Sequence, residues 1–155
     1  MSKKRVLFLC TGNSCRSQMA EGLVSHSLRE SWEAHSAGTQ SSGYVHQLAV
    51  QAMLELGINI SGHRSKSVDD FRDTHFDLVV TVCDDAAENC PVWLGGGRAV
   101  HIGFPDPARV TGSHAEQLGL FRQVRDAIRH QVLEYLEKEF DNADADLPRQ
   151  GPKET

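Results

Sequence analysis

The chain has 155 residues, 39% hydrophobic and 24% charged, which is enough apolar material for one compact core and not for two. Sixteen Lys and Arg against twenty-one Asp and Glu leave a formal net charge of −5, which argues against a surface built to neutralise nucleic-acid phosphates or anionic lipid. No apolar run approaches the ~20 residues that a membrane-spanning helix needs. The short run from Val6 to Cys10 follows Met1-Ser-Lys-Lys-Arg but leads into Thr11-Gly-Asn-Ser with no small-residue cleavage site, so the expected location is cytoplasmic.

In chain order, residues 5–10 form an apolar run of strand length, and 17–30 carry Met19, Leu23, Val24 and Leu28 close to helical spacing. Residues 33–38 read as a second strand. Residues 46–56 read as an amphipathic helix on Leu48, Ala49, Ala52, Met53 and Leu56, stopped by Gly57. Residues 76–82 are almost wholly apolar, as a strand covered on both faces should be, and 98–102 make a fourth strand. Over residues 114–140, Leu118, Phe121, Val124, Ile128, Val132, Tyr135 and Leu136 fall on one helical stripe. Strands alternating with helices predict an α/β three-layer sandwich: a four-stranded parallel sheet covered by helices on both faces. Residues 1–140 are expected to be a single catalytic domain and 141–155, poor in apolar residues, a flexible tail.

Ligands of such sheets bind beyond the carboxyl ends of the strands, and Cys10, Cys83 and the segment 103–107 all follow predicted strands. Four cysteines in a cytoplasmic chain point to catalysis or metal binding and away from a structural disulfide framework. No Cys-x2-Cys pair or paired-His spacing supports zinc, and no metal or cofactor is expected. The eight histidines show no nucleophile–base spacing.

The most informative segment is Cys10-Thr-Gly-Asn-Ser-Cys-Arg-Ser17. A cysteine closes a strand, an arginine follows six positions on, and a helix begins at once. In that setting the backbone amides of Thr11, Gly12, Asn13, Ser14 and Cys15 turn inward at a helix N-terminus, and Arg16 can donate two parallel bonds to a tetrahedral oxyanion. The same positive field favours a thiolate at Cys10 and makes it a nucleophile. Gly12 is expected to allow unusual backbone conformation and close approach, Ser17 to offer its hydroxyl to the Cys10 sulfur, Asn13 to brace the loop, and Cys15 to pack. By spacing alone, Cys-x5-Arg also describes a buried cysteine and a surface arginine; the strand before and the helix after favour the cradle. Walker and dinucleotide patterns are absent from the sequence.

Cys10-Thr-Gly-Asn-Ser-Cys-Arg-Ser-Gln-Met-Ala-Glu21, with Ser36-Ala-Gly38 and Asp106-Pro107, resembles the low-molecular-weight protein tyrosine phosphatase superfamily, and within it the thioredoxin-coupled arsenate reductases. The resemblance spans roughly residues 4–140. It implies a Cys10 nucleophile that attacks arsenate, Cys83 that attacks Cys10 to release arsenite, Cys90 that then attacks Cys83, and thioredoxin that reduces the Cys83–Cys90 pair. It also implies that Asp106 is the general acid, although an aspartate before proline is by itself an ordinary turn residue. Phosphatases of the group carry an aromatic residue after Asp-Pro; here the position is Ala108, which favours a small oxyanion. Some reductases of the group bind potassium beside the loop. Asn13, Glu21 and Ser36 match that site, but the segment His63-Arg-Ser-Lys66 lacks the further carboxylate, so a basic side chain could fill the space or meet Glu21.

If residues 84–89 are helical, Cys83 and Cys90 stand about 10 Å apart along the axis, too far for a disulfide, so a redox-switched segment is expected over about 83–97. The alternative activity is a phosphatase that hydrolyses phosphomonoesters through a Cys10 phosphoenzyme, and a third is a non-catalytic oxyanion-binding module.

Overall fold

A computed structural model describes residues 3–84, 93, 95 and 97–146, with 141–146 as backbone alone. Four strands, β1 (Lys4–Cys10), β2 (Trp32–Gly38), β3 (Leu78–Thr81) and β4 (Arg98–His101), make one wholly parallel sheet in the order β2-β1-β3-β4. The helices are α1 (Arg16–Ser27), α2 (Gln47–Leu54) and α3 (His114–Asp146). Short 3-10 turns, Val68–Phe71 and Pro107–Arg109, were not part of the sequence expectation.

β1 is central because both of its faces are apolar: Val6, Leu7 and Phe8 are fully buried and Leu9 nearly so. Val6, Phe8, Leu78 and Val80 face one layer with Met19 and Leu23 of α1, Ala49 and Met53 of α2, and Phe121 and Ile128 of α3. Fully burying each large side chain of this set is worth about 1.5–3 kcal/mol. Leu7, Leu9, Ala37, Phe76 and Val79 face the other way, covered by Val68, Phe71 and Trp93. The predicted four-stranded parallel sheet is present; among the described residues all three α-helices share the first face, and the second is closed by a 3-10 turn and Trp93.

Element ends differ from the sequence reading for local reasons. α1 stops at Ser27 because the Leu28 carbonyl accepts from Ser31 N and Trp32 N, a turn that carries Trp32 into β2. α2 ends at Leu54, and Gly57, in the left-handed region at φ 78°, turns the chain away as expected. The β3 pairing begins at Leu78 since Asp77 uses its amide on the Arg5 carbonyl and its carboxylate on Arg5 N. The α3 backbone continues to Asp146, six residues past the predicted end. Cys90, most of the 83–97 segment and residues 147–155 lie outside the described residues, so the expectations placed there are not addressed by this fold.

Candidate active site

The loop after β1 is held from outside by its carbonyls. Cys10 O accepts from Thr39 N, Thr11 O from Gln40 N, Gly12 O from Ser42 N, Asn13 O from Gln18 Nε2 and Ser14 O from His46 N, at 2.8–3.3 Å. In a planar trans peptide the N–H points opposite to the C=O. With five successive carbonyls turned outward, the amides of Thr11, Gly12, Asn13, Ser14 and Cys15 are turned inward. Asn13 N reaches Cys10 Sγ at 3.3 Å, which places the sulfur at the bottom of this ring of donors. α1 begins immediately, and its N-cap, Cys15, makes no side-chain capping bond. The helix N-terminus therefore adds uncapped donors and a positive field to the ring. Thr11 Oγ1 is buried with no hydrogen-bond partner.

The loop's conformational demand falls on Asn13, the only described non-glycine residue with positive φ, at 52°. This corrects the expectation for Gly12, where an added Cβ would meet only Ser14 Oγ at 3.7 Å, an ordinary contact. Asn13 is fully buried. Its side chain offsets the cost of the left-handed turn: Oδ1 accepts from Gln18 Nε2 (2.9 Å) and Lys66 N (2.7 Å), and Nδ2 donates to Ser17 Oγ (2.8 Å). Ser17 Oγ lies 2.9 Å from Cys10 Sγ. Since Asn13 Nδ2 already donates to that hydroxyl, the Ser17 proton is free to point at the sulfur and donate to it.

Glycine is required at Gly38 instead. The register pairs Cys10 with Gly38, and a Cβ there would stand 2.4 Å from Thr11 O and 3.0 Å from Asn13 N, both backbone atoms. A side chain at the end of β2 would push directly on the loop.

Arg16 is buried, and its Nη1 donates to Phe104 O at 3.1 Å. Its Nη2 lies 3.7 Å from Asp106 Oδ2, which ties the loop to the turn after β4. Asp106 caps the Pro107–Arg109 turn by accepting from Ala108 N at 3.0 Å, and Arg109 Nε stands 3.9 Å from the same carboxylate. Cys15 is buried, and desolvation pushes its thiol up to about 12, with Ser14 pulling the other way. It stays protonated at neutral pH, in keeping with a packing role.

Behind the loop, the Lys66 ammonium sits among oxygens: Arg64 O at 3.0 Å, Glu21 Oε1 at 3.4 Å and Ser36 Oγ at 3.4 Å, while Ser36 Oγ donates to Glu21 at 2.5 Å. The residues that matched a potassium site do gather, but a protein cation already stands between them. They do not fit a bound potassium ion.

Cys83 is fully buried after β3 and engaged in a disulfide whose partner lies outside the described residues, whereas Cys10 and Cys15 are free thiols. The structure thus brings Cys10, the loop amides, Arg16, Ser17 and Asp106 to one rim of the sheet. Gln18, His63 and Gly38 stand within segments that carried the resemblance or flanked it, but the sequence reading gave none of them a role in the site. A signal for Gln18 existed, since a polar residue in a first helical turn leans back toward the preceding loop.

The description "low molecular weight phosphotyrosine protein phosphatase" belongs to the family model that matches residues 5–146. A curated arsenate reductase of Bacillus subtilis (strain 168) is 44% identical over 137 residues, covering 88% of this chain and 98% of that protein. Among solved structures, an arsenate reductase in the oxidized state superposes with a TM-score of 0.67 at 30% identity, covering 87% of this chain and 98% of the other. A thioredoxin-dependent arsenate reductase of Corynebacterium glutamicum superposes with a TM-score of 0.61 at 26% identity, covering 91% of this chain and 63% of the other. With a matching family model over nearly its whole length and near-full-length relatives at this identity, the chain belongs to the low molecular weight phosphotyrosine protein phosphatase family, on the branch that holds the curated arsenate reductases.

Proposed function

We propose that the chain reduces arsenate to arsenite by a relay of three cysteines. The observation that carries this reading is the pairing of an oxyanion cradle built on the free Cys10 with a separate disulfide at Cys83. A phosphatase of this fold needs the first and has no use for the second.

In the proposed sequence, arsenate is held by the inward amides of residues 11–15 and by Arg16. The Cys10 thiolate forms a bond to arsenic, and one oxygen leaves as water after taking a proton from Asp106. A Cys83 thiolate then attacks Cys10 Sγ. The S–S bond forms as the S–As bond breaks, and its electron pair stays on arsenic, so As(V) becomes As(III) and departs as arsenite. Cys90 attacks Cys83 Sγ and returns Cys10 as a thiolate. Cys90 is the partner we assign to Cys83 in the relay, and their disulfide is the oxidised product of one turnover. A dithiol protein of the thioredoxin type accepts the oxidising equivalents, in line with the thioredoxin-dependent relative from C. glutamicum. A reducing cytoplasm is the compartment in which such a cycle runs. Among the described residues no helix is long and apolar enough to cross a membrane.

Phosphomonoester hydrolysis is the second reading, favoured by the completeness of Cys10, Arg16 and Asp106 without any other thiol. Ala108 weighs against it, because the residue after Asp106-Pro107 offers no ring to an aryl ester. NADPH consumption with arsenate, thioredoxin and thioredoxin reductase, run beside p-nitrophenyl phosphate hydrolysis, separates the two. Arsenate-dependent oxidation is expected; ester hydrolysis without it would make the phosphatase reading primary.

A further inference from the structure

We propose that Gln18 and His63 are positioning residues for Cys10, forming the far end of a one-way chain of hydrogen-bond donors that terminates on its sulfur. The inference rests on the assignment of Cys10 as nucleophile and adds two residues that lie outside the oxyanion loop.

Each direction follows from the partners. Gln18 is fully buried in the first turn of α1. One end of its amide is surrounded by Asn13 O at 3.3 Å, Asn13 Oδ1 at 2.9 Å and Arg64 O at 2.9 Å. Two of these are backbone carbonyls, which only accept, so the nitrogen must face them. The carboxamide oxygen is thereby turned to His63 Nδ1 at 3.2 Å, and the imidazole must donate. This selects the His63 tautomer with its proton on Nδ1, and the bond survives protonation of the other nitrogen.

The next link is fixed in the same way. Lys66 N is a backbone donor, and with Gln18 Nε2 it defines which end of the Asn13 amide is oxygen. The Asn13 nitrogen therefore faces Ser17 Oγ, and the Ser17 hydroxyl is left to donate to Cys10 Sγ. The complete run is His63 to Gln18 to Asn13 to Ser17 to Cys10, every proton pointing the same way. Donors aligned head to tail polarise one another in a buried setting, so each link strengthens the last one on the sulfur. Gln18 also holds Arg64 O, which keeps the 63–66 segment, and with it the Lys66 amide, against the loop.

The test is the rate of Cys10 alkylation by iodoacetamide against pH, with the labelled peptide mapped and thermal unfolding measured separately. Gln18→Met keeps the length and removes the amide; alkylation at pH 7 is expected to slow by about three- to tenfold, with the profile displaced to higher pH. His63→Ala is expected to move the profile the same way by a smaller amount, and His63→Gln, which can donate to the same oxygen, to restore it. A folded Gln18→Met whose profile superimposes on the wild type would overturn the proposal. Should Gln18→Met not fold, the His63 pair decides: Ala and Gln variants that behave alike would overturn it, since packing alone would then account for the contact. Wild-type Cys10 that alkylates no faster than a free thiol would remove both this proposal and the nucleophile assignment. Displaced profiles without arsenate-dependent NADPH oxidation would remove the reductase reading and leave the donor chain standing.

Discussion

The Asp106 carboxylate stands 3.7 Å from the Arg16 guanidinium, close enough for attraction and too far for a direct hydrogen bond. One residue comes from the start of α1 and the other from the turn after β4, so the pair sets the proposed acid beside the group that would hold the anion. Asp106→Asn keeps an oxygen to cap Ala108 N and removes the transferable proton. We expect kcat for arsenate reduction to fall by about a hundredfold or more with a much smaller change in KM. Equal losses in both, measured by steady-state kinetics, would contradict the acid assignment.

The relay predicts different failures for its cysteines. Cys10→Ser should lose all turnover, because a serine hydroxyl in the same cradle is not a thiolate nucleophile. Cys90→Ala should release at most one arsenite per enzyme and then stop. Quenched-flow counting of arsenite with thioredoxin present distinguishes a single burst from continued cycling, and continued cycling would show Cys90 to be dispensable.

Gly38→Ala tests the packing of β2 against the loop. Its Cβ would meet Thr11 O at 2.4 Å, and neither strand nor loop backbone can move without losing the Cys10–Gly38 register. A stability loss of about 1–3 kcal/mol is expected in urea titrations, together with weakened phosphate binding measured calorimetrically. Wild-type stability and affinity would show that the loop has slack.

His46 links stability to pH. Burial holds its imidazole below the ordinary histidine value of 6.5, with the Asp106 carboxylate opposing in smaller part. The neutral ring accepts from Leu48 N at 3.1 Å and so caps α2, while His46 N supports Ser14 O. A folded value below the unfolded one means that the unfolded chain binds the proton more readily. This contribution is therefore complete above about pH 6.5 and lost as the pH falls below it. Urea midpoints should drop between about pH 7.5 and 5.5, and His46→Asn, which caps without titrating, should reduce the drop. An unchanged slope in that variant would assign the effect elsewhere.

Lys66 makes its own prediction about ions. Its ammonium takes the oxygens of Glu21, Ser36 and Arg64, so initial rates should be the same in KCl and NaCl at equal ionic strength. Lys66→Met leaves the half-buried Glu21 without its cation, with only the Ser36 hydroxyl still donating to it, and should lower both stability and loop order. A potassium-specific activation of the wild type would mean that the ammonium yields its place.

How much of this was legible in the chain depends on the range of the interactions. The apolar run of β1, the stripe on α3 and the glycine after α2 are local periodicities and local φ preferences, and they located the strands and helices to within a few residues, apart from the end of α3, which lies six residues further on. The Cys10 to Ser17 spacing is also local: a strand, a short loop and a helix N-terminus suffice to define an anion cradle. The bonds that tie that cradle down are not local. Gly38 is needed because β2 lies beside β1, Phe104 O meets Arg16 across 88 positions, and Lys66 reaches Asn13 across 53. Nothing in the spacing of those residues encodes their meeting. The sequence by itself determined which groups could do chemistry, since reactivity belongs to residue type and immediate backbone. Only the tertiary structure decided how those groups are oriented, that Asn13 and not Gly12 takes the strained turn, and that a lysine fills the cation space, because orientation is set by contacts between segments that the parallel sheet brings to one rim.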